Sequence, residues 1–162
     1  MGIIRVPNPF ISTNLEGSAM KVDFVSREQA LKMVKEGYFV NNKADLVSLS
    51  DSHRECRLMR NAWKQQKSDA NAAIFQMFYD VEDNSSLFGA NKALQLKRFV
   101  ELSHQKNKDV VVHCFMGVSR SGAVAKFVDT YLGLNDPYLE DYALFNNHVY
   151  FTLLEAAQIT HV

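Results

Sequence analysis

The chain has 162 residues, 47% of them hydrophobic, which is enough to bury the core of one globular domain spanning 1–162. Its 18 basic residues are matched by 18 acidic ones, so no global field draws it to nucleic acid or an anionic membrane, and any anion must be recognised locally. No apolar run approaches the length of a membrane span, and the two cysteines, Cys56 and Cys114, are too few for a disulfide-stapled secreted domain.

A reducing, cytoplasmic setting is therefore expected. The opening "MGIIRVPNPF" lacks a signal peptide's apolar core, and Val6 stands where a myristoylation site wants Ser or Thr. No repeat or low-complexity tract divides the chain.

In chain order, "KVDFV" (21–25) reads as a strand. Ser26 then opens a helix with Gln29 as its capping-box partner, and Gly37 stops it. "ADLVSLS" (44–50) is a short apolar strand, followed by a polar, charged segment over 51–70. A third strand is predicted over 72–81, "AAIFQMFYDV", running into the turn-like "EDNSS". Ala93, Leu96, Phe99 and Val100 recur at helical spacing between Asn91 and about Ser103. "DVVVHC" is a continuous β-branched run, the pattern of a strand buried on both faces. Val124, Phe127, Val128 and Tyr131 then mark one face of a helix. One or two further helices complete the chain, the last near Asn147 to Gln158. Strands alternating with helices predict an α/β fold with a central, mainly parallel sheet, whose ligands sit beyond the carboxyl ends of the strands. Cys114 lies at such an end.

"HCFMGVSRSG" (113–122) carries the chemistry. A loop between a buried strand and a helix start aims successive backbone N–H groups inward, as an anion-binding nest. Gly117 permits a backbone turn that a Cβ would oppose. Arg120 opens the helix, and its planar fork grips two oxygens of a phosphate at once. Cys114, facing those amides and the guanidinium, is expected to have a lowered pKa and to act as a nucleophile toward phosphorus.

The pattern His-Cys-x5-Arg followed by Ser resembles the signature of the cysteine-dependent protein tyrosine phosphatase superfamily, in the form found in dual-specificity phosphatases. The tight match covers about ten residues. A looser one extends over 70–162, where "NNHVYFTLLEAA" resembles the family's closing helix. The resemblance implies a three-layer phosphatase-like fold, with Cys114 as the nucleophile forming phosphocysteine and Arg120 as the phosphate ligand. It also implies that Ser121 assists breakdown of the intermediate and that His113 orients and tunes the thiolate. Phe115, Met116, Gly117, Val118 and Ser119 complete the substrate-binding loop. No cofactor or metal is implied. The family's general acid is an Asp some thirty residues before the Cys, and Asp80 and Asp83 stand 34 and 31 residues ahead. Asp80 is preferred for its position at the strand end, Asp83 is retained for its spacing, and Glu82 is a third choice.

The expected partner is a phosphorylated protein or peptide, with phosphotyrosine as the default residue and phosphoserine and phosphothreonine open as further substrates, and the expected state is a monomer. Phosphoinositides and RNA 5′-phosphates are the alternative substrates, the first disfavoured because the loop's variable positions hold no lysine, the second weakened but not removed by the zero net charge. Two other classes are open: a catalytically silent phosphate-binding module, and a thiol redox enzyme such as an arsenate reductase with Cys56 as resolving thiol. A protective disulfide between Cys56 and Cys114 under oxidation is a minor reading. Asp51, His53, Arg54 and Cys56 lack zinc-ligand spacing and read as a solvated loop. Arg54, Arg57 and Arg60 are weak candidates for meeting substrate charge.

Overall fold

The structure, a computed structural model, describes residues 3–4, 20–67, 69–158 and 160–161. Four strands form one all-parallel sheet: β2 (Val22–Ser26), β3 (Ala44–Ser50), β4 (Ala73–Met77) and β5 (Asp109–Cys114), in the order β2-β5-β3-β4. A separate two-residue ribbon pairs β1 (Ile3–Ile4) with β6 (Thr160–His161). Side chains alternate across a strand, so the parity of each residue decides its layer. Val110, Val112 and Cys114 of β5 and Val47 and Leu49 of β3 face one core. That core is roofed by α4 (Ala90–Gln105), α5 (Arg120–Leu132) and α7 (Asn147–Ala156). Val111, Ala44 and Leu46 face the other, under α1 (Arg27–Lys35), the short α2 (Tyr38–Asn42) and α3 (His53–Gln65). The short α6 (Pro137–Asp141) precedes α7. The result is the expected three-layer α/β architecture.

The central strands are buried on both faces; every residue of β3 is buried. The capping box at Ser26 forms as predicted: Ser26 Oγ accepts from the Gln29 amide, and Gln29 Oε1 accepts from the Ser26 amide at 3.0 Å. Gly37 adopts a φ of 78° and serves as both stop and start, because α2 follows at once.

Two expectations are corrected. The strand predicted over 72–81 ends at Met77, and Phe78 onward leaves the sheet as a loop toward a 3-10 turn at Asn84–Ser86. The segment 51–70 is not a loop: most of it is α3. Ser52 caps it by accepting from the Glu55 amide at 3.3 Å, and Met59, Ala62 and Trp63 pack inward. Ser52 and Glu55 form an S-x-x-E start that stood in the sequence. The flanking charges masked it, because they occupy the helix's solvent face.

Candidate active site

Three parallel strands end side by side, and each delivers a polar or thiol side chain to one cavity at or just past its carboxyl end: Asp51 after β3, Asp80 after β4, and Cys114 closing β5. These three, with Phe115, Met116, Val118, Ser119 and Arg120, line one cavity of about 480 Å³. A larger cavity of about 670 Å³ lies elsewhere, between the 3-10 turn and α7. It holds neither the thiol nor the guanidinium.

The loop from Cys114 to Arg120 is held by its neighbours rather than by itself. The first amide of α1, that of Arg27, donates to the Phe115 carbonyl at 3.2 Å. Tyr142 Oη donates to the Val118 carbonyl at 2.7 Å, and the Asn146 amide donates to the Ser119 carbonyl at 3.0 Å. Gly117 has a φ of 72°, and a Cβ there would lie 2.4 Å from the Ser26 amide nitrogen and 2.5 Å from the Val25 carbonyl carbon. Only glycine allows the loop to fold this tightly over the end of β2. While the carbonyls are bound, the amides of Phe115 to Ser119 donate to no protein acceptor among the described residues. This is the arrangement an anion-binding nest requires.

Arg120 is buried, 3% exposed, and its contacts divide the guanidinium in two. Nη1 donates to Asp51 Oδ1 at 2.6 Å and to the Phe78 carbonyl at 2.8 Å. Nε, also buried, has no protein partner. A buried donor left unmatched costs free energy unless something fills it, and an oxyanion in the cavity would do so. Asp51 and the Phe78 carbonyl thus fix the guanidinium through Nη1, and Arg120 lines the same cavity as Cys114. Sequence reasoning had set Asp51 aside as a loop residue. Its position beyond a strand's carboxyl end was the available signal, but the 69 residues separating it from Arg120 hid the partner.

The Cys114 sulfur is buried on the cavity side, 3.1 Å from Ser121 Oγ, itself fully buried. The second cysteine, Cys56, is on α3, and both thiols are free. His113 points to the opposite face of β5 from Cys114. Its Nδ1 sits 3.3 Å from the Cys114 carbonyl and its Nε2 2.6 Å from Ser48 Oγ on β3. A carbonyl only accepts, so Nδ1 carries the proton and Nε2 accepts from Ser48. Burial, more than the nearby Arg120 and Arg27, pushes the imidazole pKa down to about 4, so the ring is neutral at physiological pH. It braces the backbone of the nucleophile and makes no hydrogen bond to the sulfur.

The acidic residues separate clearly. Asp80 Oδ1 accepts from Ser119 Oγ and from Asn146 Nδ2, each at 2.8 Å, and no protein donor reaches Oδ2 among the described residues. Asp83 is turned away, accepting from the Ser85 amide at 2.8 Å and from Ser85 Oγ as the cap of the 3-10 turn. Those bonds hold its carboxyl below the usual range, the wrong direction for a proton donor. Glu82 accepts from the Asn147 amide at 2.9 Å. Asn146, 1% exposed, joins the parts: it caps α7 through Val149, binds the Asp80 loop through Nδ2, and holds the Ser119 carbonyl.

The fold that carries this strand-loop-helix is similar to that of a solved phosphatase. The Cydia pomonella PTP-2 phosphatase has that fold: 85% of this chain matches 86% of that one, with a TM-score of 0.55 and 17% identity. Tk-PTP in its active form matches 88% of this chain at a TM-score of 0.49 and 14% identity, over 95% of its own length. PTPMT1 in complex with PI(5)P matches 85% at 0.49 and 13%, over 90% of its own length. No protein-family model and no curated protein matches the sequence. What is shared at this identity is the fold.

Proposed function

We propose that this protein is a cysteine-dependent phosphomonoesterase acting on phosphotyrosine in proteins, through a phosphocysteine intermediate. The observation that carries the reading is the divided guanidinium of Arg120. It is locked by Asp51 and Phe78 through Nη1, its buried Nε has no protein partner, and Arg120 lines one cavity together with Cys114 and Asp80.

The Cys114 thiolate attacks phosphorus while the loop amides and Arg120 hold the nonbridging oxygens. The bond from phosphorus to the ester oxygen breaks, and Asp80 gives its proton to that oxygen. With both donors on Oδ1, the transferable proton sits on Oδ2. Water then attacks phosphocysteine, passing a proton to the Asp80 carboxylate, and the sulfur leaves as thiolate with the Ser121 hydroxyl donating to it. Inorganic phosphate departs.

The cavity walls favour a monoester over a polyanion. Asp51 and Asp80 place two carboxylates against the single guanidinium, which opposes triphosphates and multiply phosphorylated lipid headgroups. The rim is apolar, with Phe115 46%, Met116 69% and Val118 38% exposed, suited to flank an aromatic ring. Phosphate release from p-nitrophenyl phosphate and a phosphotyrosine peptide in EDTA tests the reading, and Cys114→Ser should abolish it. Asp80→Asn should flatten the alkaline limb of the pH profile and lower kcat by about 10²-fold or more, while Asp83→Asn should not. Phosphopeptide binding without turnover would show a silent module instead, and retained turnover in Cys56→Ser would discard thiol redox chemistry.

A further inference from the structure

We propose that the exposed face of α3 is a substrate-docking ridge that receives acidic residues flanking the phosphotyrosine of a protein substrate. This rests on the phosphatase reading above and names the kind of sequence that site prefers. Arg54, Arg57, Arg60 and Lys64 are all exposed on this one helix. His53, Arg57, Arg60 and Lys64 fall at i, i+4, i+7 and i+11, a single stripe. The chain as a whole is neutral, so such a local excess has no global cause.

The helix begins two residues after Asp51, which lines the cavity. Its only acid in this stretch, Glu55, is occupied elsewhere. Glu55 accepts from Arg27 Nη1 at 3.1 Å and from the Asp51 amide at 3.4 Å. Arg27 in turn lies over the Phe115 ring, 5.3 Å from its centroid. The carboxylate that α3 itself carries thus fastens the helix to Arg27 and to the Asp51 backbone and leaves the ridge charges unneutralised within the helix. Arg60 rests over Phe75 at 5.1 Å, whereas Arg54 and Arg57 are in no ion pair among the described residues. Like charges three and four residues apart on a helix repel, and an acidic segment laid across them would relieve that repulsion. A peptide whose phosphotyrosine enters the cavity passes the start of α3 as it leaves on the Asp51 side.

The test compares two phosphotyrosine peptides, one with Glu and Asp flanking the phosphotyrosine and one with Gln and Asn in their place, at low and high salt. The full chain should show about tenfold higher kcat/KM for the acidic peptide at low salt, shrinking as salt rises. Arg54→Gln with Arg57→Gln should remove the preference and leave p-nitrophenyl phosphate turnover unchanged. Arg57→Glu should shift preference toward a Lys-flanked peptide, a gain that misfolding cannot imitate. Equal kcat/KM for the two peptides, or a preference surviving the double substitution, would overturn the ridge. Should no substrate be hydrolysed, the phosphatase reading fails by itself, and the Kd of each peptide for Cys114→Ser still decides the ridge by the same ratio.

Discussion

Asn146→Asp separates the acid's identity from the stability of the fold more sharply than any change to the acid itself. The substituted side chain keeps the oxygen that caps α7 by accepting from the Val149 amide at 3.0 Å. It replaces the Nδ2 that donates to Asp80 at 2.8 Å with a second carboxylate oxygen. Two carboxylates about 4 Å apart repel by about 1 kcal/mol in bulk water and about 4 kcal/mol at an effective dielectric near 20. Asp80 is exposed, so the lower part of that range applies, about 1–2 kcal/mol, or about one pH unit. Repulsion favours the protonated form, which is the form a general acid needs. The alkaline limb of kcat against pH should therefore move up by about one unit, at a cost in a urea melt that grows with pH as the same repulsion of about 1–2 kcal/mol takes hold. Asn146→Ala, which also deletes the cap, should instead cost about 1–2 kcal/mol in the same melt. An unmoved alkaline limb in a folded Asn146→Asp protein would remove Asp80 from the acid's role.

Asp51→Asn keeps an acceptor for Arg120 Nη1 and deletes the charge, so kcat/KM for a phosphotyrosine peptide should fall about 10–100-fold; an unchanged value would mean Arg120 needs no anchor. Gly117→Ala forces a Cβ against the backbone of Val25 and Ser26 and should destabilise by about 2–4 kcal/mol in urea unfolding, with turnover falling in step. His113 is neutral in the fold, with its pKa down at about 4 against 6.5 in the unfolded chain, so acid favours unfolding. Its contribution is intact above about pH 6.5 and drains away as pH falls toward 4, amounting to about 3 kcal/mol at the acid end. The difference in urea midpoint between pH 7 and pH 4.5 should accordingly be smaller in His113→Gln, and an identical difference would refute the neutral, buried imidazole.

Local signals were legible in the sequence because their physics is local. The β-branched run 110–112 leads into a buried central strand. Ser26 and Gln29 made their capping box, and the glycine of the loop took the positive φ that its place between strand and helix required. The polar stretch after β3 was misread because charge density masked an amphipathic face whose apolar members, Met59, Ala62 and Trp63, are few.

By itself the sequence determined the α/β layering and placed thiol, glycine and guanidinium on one loop, since six residues of chain hold Cys114 and Arg120 together whatever the rest does. Only the tertiary structure decided which carboxylates attend them. Asp51, Asp80 and Asn146 meet that loop from 69, 39 and 27 residues away along three different contacts: Arg120 with Asp51, Ser119 with Asp80, and the Ser119 carbonyl with the Asn146 amide. Parallel strand order sets those distances in space, and each strand's carboxyl end is brought to the same edge of the sheet by connections that no local pattern encodes.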